Sequence, residues 1–272
     1  MSENIAPLEL LDRDRISTHL DPTIREKLRV LNITATVDST NSALQRLPLP
    51  RQHLSAFLAE HQSSGRGRRG RQWHSPPGGN LYLSMGWRFE KNLAALGCLP
   101  LVVALATAKA LSRAGLEGHR IKWPNDLLLD GRKFCGCLVE MQGDPKGPCH
   151  AVLGVGINVR MPETEETAGI DQPWTDLHSR LPGCSRNELA AFLLEELITH
   201  LELFARQGFG PFEADWASWD GLRGQTISAL LGETIIEGTA DGIDEKGALV
   251  LHTDEGTRKL HSGEVSLSKT QL

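Results

Sequence analysis

No run of eighteen or more consecutive apolar residues occurs in the 272-residue chain, so a membrane-spanning helix is not expected. A basic start followed by an apolar core is also missing. Met1 to Asp14 is mixed and acidic, and a secretory leader is not expected. Cysteine is scarce: Cys98, Cys135, Cys137, Cys149 and Cys184 are odd in number and irregularly spaced, which leaves no disulfide framework. Cys135 and Cys137 form a C-x-C pair inside an apolar run, and no second Cys or His pair completes a metal site. Buried free thiols in a reducing cytoplasm are the expectation. The histidines lack metal spacing, and without a G-x-S-x-G elbow a Ser-His-Asp triad has no support. Neither sign of charge dominates, since 29 Lys+Arg face 34 Asp+Glu for a net charge of −5. That balance argues against a chain whose whole surface grips nucleic acid, while a local basic patch stays open. Internal repeats and low-complexity tracts are absent.

What is present is the composition of a globular protein, 40% hydrophobic and 23% charged, long enough for one large domain or a medium and a small one. Residues 1–30 read as a lead segment, with a helix around Leu8 to Leu20. Strands are expected at Leu31–Val37, Phe57–Glu60, Leu81–Phe89, Arg120–Trp123, Leu127–Leu129, Phe134–Met141 and Ala151–Val159. Asp130-Gly131 is the hairpin signal between two of them. Helices are expected at Ser42–Leu47, Leu93–Arg113, Asn187–Gln207 with Asn187 as its cap, and Phe209–Asp220. Glu163 to Pro182 is polar and irregular, a loop with room for a short helix. After Gly221, short strands alternate with Gly and Asp turns (Thr226–Leu230, Thr234–Ala240, Ala248–Thr253, Arg258–His261), the pattern of a small all-β barrel.

Three segments could carry chemistry. Gly65 to Trp73, G-R-G-R-R-G-R-Q-W, puts four guanidinium groups on a glycine-rich backbone. Guanidinium binds phosphate or carboxylate with two parallel hydrogen bonds and keeps its charge at neutral pH. On pattern alone a solvated basic turn, a nucleic-acid loop and a phosphate-gripping enzyme loop all stay open. A P-loop is excluded because the Gly-Lys-Ser/Thr ending is missing. Lys122-Trp123-Pro124-Asn125-Asp126 places an ammonium at a strand end beside an amide and a carboxylate, and that carboxylate could hold Mg²⁺. An ordinary turn with a surface lysine is the alternative. Gly154-Val155-Gly156-Ile157-Asn158 puts glycines into a strand, which weakens it unless another group must come close. The close group is either a helix packed on a bulge or a planar ligand such as a base.

Taken in order, these pieces resemble the biotin protein ligases. The matching motifs are Asp38-Ser39-Thr40-Asn41, Ala59-Glu60-His61-Gln62 leading into Gly65–Trp73, Gly79–Met85, Lys122–Asp126 with Leu127, and Gly154–Asn158. The resemblance is strong over residues 30–160 and looser in the β-rich tail. It implies an α/β (α+β) catalytic domain over residues 31–221, a mixed sheet with packed helices of the class II aminoacyl-tRNA synthetase-like type. A small SH3-like β-barrel would follow over 222–272. The implied reaction joins biotin to ATP as biotinyl-5′-AMP, then moves the biotinyl group to a lysine of a biotin carboxyl carrier protein domain of acetyl-CoA carboxylase. Biotin, ATP and Mg²⁺ are the implied small molecules.

Carried over by position, Ser39, Thr40 and Asn41 resemble the polar wall that meets biotin's ureido end. Gln62 and the Arg66–Gly67–Arg68 backbone resemble further biotin contacts. Lys122 resembles the lysine that meets the biotin carboxylate and then the acyl-phosphate, and Arg66 and Arg68 stand beside it as catalytic cations. Arg68 resembles the arginine that keeps the adenylate sequestered. Lys133 and Gly136 match positions near the biotin chain. Arg69, Arg71, Trp73, Asn125 and Asn158 match the nucleotide side, with Trp73 over the adenine and Asn158 on the base edge. Asp126 is the candidate for the metal.

Some family members carry a winged-helix DNA-binding domain ahead of the catalytic domain. Only about 30 residues precede the first expected strand here, so a ligase without a DNA-reading module, and without a nucleic-acid or membrane partner, is expected. Homodimerisation is frequent in the family, and the sequence does not decide it. A lipoate or octanoate ligase or transferase is the first rival, disfavoured because Ser39, Thr40 and Gln62 suit a ureido ring better than an apolar tail. A nucleic-acid module using the arginine loop is the second, and a non-catalytic biotin-binding protein the third. Fixing one residue's backbone costs about 1–2 kcal/mol, roughly 13–26 kcal/mol for Ser63 to Ser75. Micromolar-to-nanomolar binding supplies only about 8–12 kcal/mol. The arginine loop is therefore expected to be partly structured before ligand arrives.

Overall fold

A computed structural model describes residues 9–144, 147–162, 164, 167 and 170–267. Seven strands form the main sheet: β1 (Val30–Val37), β2 (Ser55–Gln62), β3 (Leu81–Phe89), β4 (Arg120–Lys122), β5 (Asp126–Leu129), β6 (Arg132–Gly143) and β7 (Cys149–Ile157). Their order is β1-β2-β3-β7-β6-β5-β4. The β1–β2 pair is parallel and every other pair antiparallel, which makes the sheet mixed. Central strand β3 is buried on both faces except at Arg88, because helices cover one face and the site's polar segments the other.

One face of the sheet carries two long helices, α5 (Leu99–Arg113) and α6 (Arg186–Gln207), packed on each other. The segment Leu93–Arg113 is long and apolar enough in composition to cross a membrane. In the fold it is divided. A 3-10 turn at Leu93–Leu96, capped by the Asn92 side chain, precedes α5, whose first turn holds Pro100, where a missing N–H costs nothing. Leu99, Val102, Val103, Ala106 and Ala110 of α5 are fully buried in the core. The cap of α6 is Ser185, whose hydroxyl accepts from Glu188 N, not the expected Asn187. Asn187 is occupied by the lead segment: its Oδ1 accepts from Asp12 N at 2.8 Å and its Nδ2 donates to Leu10 O at 2.9 Å.

The lead segment differs from the single expected helix, whose first residue, Leu8, lies outside the described residues. Two short helices, α1 (Arg13–His19) and α2 (Pro22–Lys27), are each capped by an aspartate, Asp12 and Asp21. Leu11, Ile16, Leu20 and Ile24 seat them in the main core. Ahead of α1, Arg186 Nη2 donates to Glu9 O, while Leu11 N donates to Glu60 Oε1 at 2.6 Å. Arg186 also grips Glu60 Oε2 at 2.7 Å and Asn80 O at 3.0 Å, so one buried guanidinium joins the lead segment, α6, β2 and the start of β3.

Helices α3 (Thr40–Gln45) and α4 (Leu49–Gln52) lie between β1 and β2, and α7 (Glu213–Trp219) follows a 3-10 turn at Gly210–Phe212. The C-terminal part is a five-stranded antiparallel sheet: β8 (Thr226–Leu231), β9 (Thr234–Ile243), β10 (Leu249–Thr253), β11 (Gly256–Leu260) and β12 (Glu264–Leu267), in the order β11-β10-β9-β8-β12. The last of these strands had no sequence signal. The two parts meet where Trp123 Nε1 donates to Gly247 O at 3.0 Å and where the start of β12 reaches the arginine loop.

Candidate active site

A cleft opens on the sheet face opposite α5, between the start of α3, the arginine loop, the β4–β5 turn and the start of β12. Its polar end begins at β1. Asp38 is fixed by a two-pronged pair with Arg46 (2.7 and 2.9 Å), and this partner holds the Asp38 carboxyl at about 2. Ser39 occupies the N-cap of α3 in an extended conformation without using its hydroxyl as a cap, which leaves that hydroxyl on the cleft wall. Thr40 N donates to Gln62 Oε1 at 2.9 Å, and Gln62 Nε2 donates to Ser75 Oγ at 3.0 Å. Ser84 Oγ stands 2.7 Å from Thr40 Oγ1 and 2.5 Å from Asn41 Oδ1. Asn41 Nδ2 donates to Glu140 Oε2 at 2.8 Å. The Asn41 amide lies over Gly154, where a Cβ would fall 2.4 Å from Oδ1.

The opposite end is cationic. Lys122, the last residue of β4, lines the cleft, and burial pulls its ammonium below the ordinary lysine value, with Asp126 opposing that shift and Lys133 and Arg71 adding to it. Asp126 itself pairs with Lys133 at 2.8 Å. Among the described residues no carboxylate reaches ion-pair distance of Lys122. Asn125 is held by its own Nδ2 bond to Cys137 O at 2.6 Å, and its Oδ1 accepts from Arg68 Nη1 at 2.9 Å.

The arginine loop has local structure. Trp73 N donates to Gly65 O at 2.9 Å, Gly67 N donates to Arg71 O at 2.7 Å, and a 3-10 turn spans Arg68–Gly70. Arg69 and Gly70 adopt positive φ (57° and 76°) at the tip. Arg66 pairs with Glu140 at 2.6 Å, and Glu264 on β12 pairs with Arg71 at 2.7 Å and Arg69 at 3.6 Å. The Trp73 indole covers Gly136 and Gly156, which face each other across β6 and β7. A Cβ on Gly156 would lie 2.7 Å from the indole Nε1, and one on Gly136 3.0 Å from Cζ3. Both glycines are therefore required by a flat group, and that group is a side chain of the loop.

The sequence matches the Biotin/lipoate A/B protein ligase family over residues 33–158 and the Biotin protein ligase C terminal domain over residues 223–268. It is 40% identical over 265 residues to the bifunctional ligase/repressor BirA of Salmonella typhimurium, covering 97% of this chain and 81% of that protein. The chain belongs to the biotin protein ligase family. The biotin–[acetyl-CoA-carboxylase] ligase of Paracoccus denitrificans is 33% identical over 241 residues, 85% of this chain and 98% of its own. The biotin protein ligase from Aquifex aeolicus, solved in complex with biotin and ATP, superposes with a TM-score of 0.74 at 30% identity, covering 89% of this chain and 99% of that one.

Within this ligase fold, Ser39, Thr40, Asn41, Gln62, Arg66, Gly67, Arg68, Arg71, Trp73, Lys122, Asn125, Asp126, Lys133 and Gly136 all line one cleft. Arg69 is outside that wall, and among the described residues its ion-pair partner is Glu264. Asn158 is also not brought to it. Its amide donates to Thr175 O at 3.1 Å and it is 5% exposed, so it supports the loop after β7. Other wall residues lay outside the motifs: Cys137 and Leu138 on β6, Gln172, and Gly263, Glu264 and Val265 at the start of β12. Gln172 arrives because Lys133 N donates to Pro173 O and Thr175 N donates to Lys133 O, at 3.0 and 2.9 Å.

Proposed function

We infer that the chain activates biotin with ATP and transfers the biotinyl group to a carrier-protein lysine. The observation that carries this reading is the Lys122 ammonium, half-buried at the junction of a hydrogen-bonding pocket and an arginine loop and lacking an ion-pair partner among the described residues. A partly desolvated cation without a counter-ion is costly unless an anion completes the site. A carboxylate whose ring end occupies the Ser39–Gln62 pocket supplies that anion.

In the first step a biotin carboxylate oxygen forms a bond to the α-phosphorus of ATP while the bond from that phosphorus to the bridging oxygen breaks, and pyrophosphate leaves. Two anions must approach, and Lys122, Arg68 and Arg71 offset their repulsion and the charge growing at phosphorus. In the second step the neutral acceptor amine attacks the acyl carbon, the bond from that carbon to the phosphate oxygen breaks, AMP leaves, and the amine's extra proton passes to solvent. Trp73 and the arginine loop exclude water from the mixed anhydride until then.

A Mg²⁺ ion fits as a companion of the triphosphate, not as a resident of the protein. Among the described residues no group of three or more metal-binding side chains exists. The carboxylates in the cleft, Asp126 and Glu264, are each ion-paired to cations. Mg²⁺ takes one or two carboxylates plus substrate phosphates in such sites, and it would neutralise the polyphosphate. The name of the Paracoccus relative supports a carboxyl carrier domain of acetyl-CoA carboxylase as acceptor. The test is mass spectrometry of such a domain after incubation with this chain, biotin and MgATP. A gain of one biotinyl group at one lysine is expected. No gain, with no biotin-dependent pyrophosphate release, would overturn the assignment.

A further inference from the structure

Glu140 lies on β6 outside the set of positions that the motifs single out, yet its carboxylate touches both ends of the site. Oε2 accepts from Asn41 Nδ2 at 2.8 Å and from Arg66 Nη2 at 2.6 Å. A carboxylate paired to arginine only accepts, and so does the Leu138 carbonyl, which lies 3.4 Å from the same Asn41 nitrogen. The Asn41 amide therefore has one permitted orientation, with its NH₂ toward β6 and Oδ1 toward Ser84.

That orientation propagates by proton counting. Each hydroxyl has a single proton to donate. Ser84 must give its proton to Asn41 Oδ1 at 2.5 Å, so the 2.7 Å contact between Ser84 and Thr40 is bridged by the Thr40 proton. The Thr40 hydroxyl also stands 3.2 Å from Gln62 Oε1, which Thr40 N already serves at 2.9 Å; spending its proton there would leave two sets of lone pairs facing across the shorter 2.7 Å contact with Ser84. Thr40 Oγ1 on the cleft wall is then left with lone pairs only. It can accept an N–H from a ligand and repels a carbonyl or ether oxygen placed there.

We propose that Glu140 is a positioning residue: acting through Asn41 and Ser84, it fixes the Thr40 hydroxyl as an acceptor and so selects a ring that presents N–H donors. The proposal rests on the biotin-activating reading above and deepens it, since a ureido ring presents such donors. Removing the charge by Glu140→Gln lets the Asn41 amide turn over, because a glutamine amide can face it with either group and the Leu138 carbonyl, at 3.4 Å, is a much weaker constraint than the carboxylate at 2.8 Å.

Biotin-dependent pyrophosphate release by the wild-type chain is measured first, and its absence would overturn the functional reading and this one with it. Steady-state constants follow for E140Q, N41D and N41D/E140Q, with biotin and with biotin methylated on a ureido nitrogen. E140Q is expected to raise KM for biotin by about tenfold, the scale of one hydrogen bond to a charged group, with kcat changed by less than about threefold. Its preference for biotin over the methylated compound should fall, because an unlocked Thr40 no longer demands a donor. N41D faces carboxylate with carboxylate and should lose more. The double variant restores an acceptor toward Ser84 and a donor toward position 41, and should recover about tenfold over N41D. An unchanged KM and preference in E140Q, or a double variant whose loss equals the product of the two single losses, would overturn the assignment of Glu140.

Discussion

Replacing Arg186 by methionine removes the guanidinium that ties together the lead segment, α6 and the strand leading to Gln62. Its side chain is 4% exposed and that of its partner Glu60 13%, so the pair sits out of solvent. The replacement deletes contacts to Glu60 Oε2 (2.7 Å), Glu60 Oε1 (3.4 Å), Asn80 O (3.0 Å) and Glu9 O. Glu60 keeps one donor, Leu11 N. Breaking a buried pair from one side costs about 3–5 kcal/mol, because the remaining charge stays buried. At roughly 2–4 °C per kcal/mol for a chain of a few hundred residues, Tm should fall by about 6–20 °C. The comparison that isolates the cause is Arg186→Met with Glu60→Leu, which removes the stranded carboxylate and should be more stable than Arg186→Met alone. Calorimetry gives Tm, and urea unfolding gives the free energy. Because Glu60 is two residues before Gln62 on β2, KM for biotin should rise as well, although Arg186 does not touch the cleft. A loss under about 1 kcal/mol, or a double variant as unstable as the summed singles, would refute the reasoning.

Lys122 is held below the ordinary lysine value by burial, so it sheds its proton at lower pH than a solvated lysine and biotin activation should decline on the alkaline side below 10.5. Lys122→Arg, which keeps its charge, should move that alkaline limb of kcat/KM upward, and an unmoved limb would exclude Lys122 as its source. Gly156→Ala places a methyl 2.7 Å from the Trp73 indole; overpacking of about 1–3 kcal/mol should appear as faster release of the adenylate, followed by a rapid-mixing chase, and wild-type retention would contradict the glycine's role. His119 is buried with Nε2 on Ala108 O and Nδ1 unpartnered, and desolvation lowers its proton affinity. The unfolded chain therefore binds this proton first, so the stability that His119 contributes is present above about 6.5 and is lost as pH falls. His119→Gln should flatten the decline in Tm between pH 7.5 and 5.5, and an equally steep decline would disprove the contribution.

Much of the site was legible because its residues sit in short local patterns. Ser39-Thr40-Asn41, the Gly65–Trp73 loop and Lys122–Asp126 each combine a turn signal with chemistry-bearing side chains, and the fold brings them to one cleft. What stayed hidden depends on partners far away in sequence. Glu140 reads as an ordinary charged residue of a strand, and Glu264 falls past the last expected one, until the arginine loop, about 75 and 195 residues earlier, is laid across them. The cap of α6 was misplaced because Ser185 and Asn187 both suit an N-cap, and the choice is made by Leu10 and Asp12, which engage the Asn187 amide. The glycines of β6 and β7 announced a close neighbour without naming it, since a glycine records only that space is needed. Asn158 entered the sequence reading through a family motif, and in the fold its amide donates one hydrogen bond to Thr175 O rather than lining the cleft.

The distribution of partners among the cations bears on how a lid can be closed and still exchange its contents. Arg66, Arg69 and Arg71 each rest on a carboxylate, at side-chain exposures of 39%, 44% and 59%. Pairs this exposed contribute about 0–1 kcal/mol each, so phosphate oxygens can replace the carboxylates one at a time without a large penalty. Lys122 differs in kind: it is half-buried without an ion-pair partner among the described residues, and its desolvation has been met in folding before any ligand arrives. A substrate carboxylate therefore finds a fixed cation on the sheet and exchangeable cations on the loop. The order of events follows from that asymmetry. On the reading proposed above, the acid is placed first, against Lys122, and the arginines then trade Glu140 and Glu264 for the polyphosphate. As pyrophosphate leaves, the same carboxylates can take the arginines back, holding the loop over the activated ester while the amine is awaited.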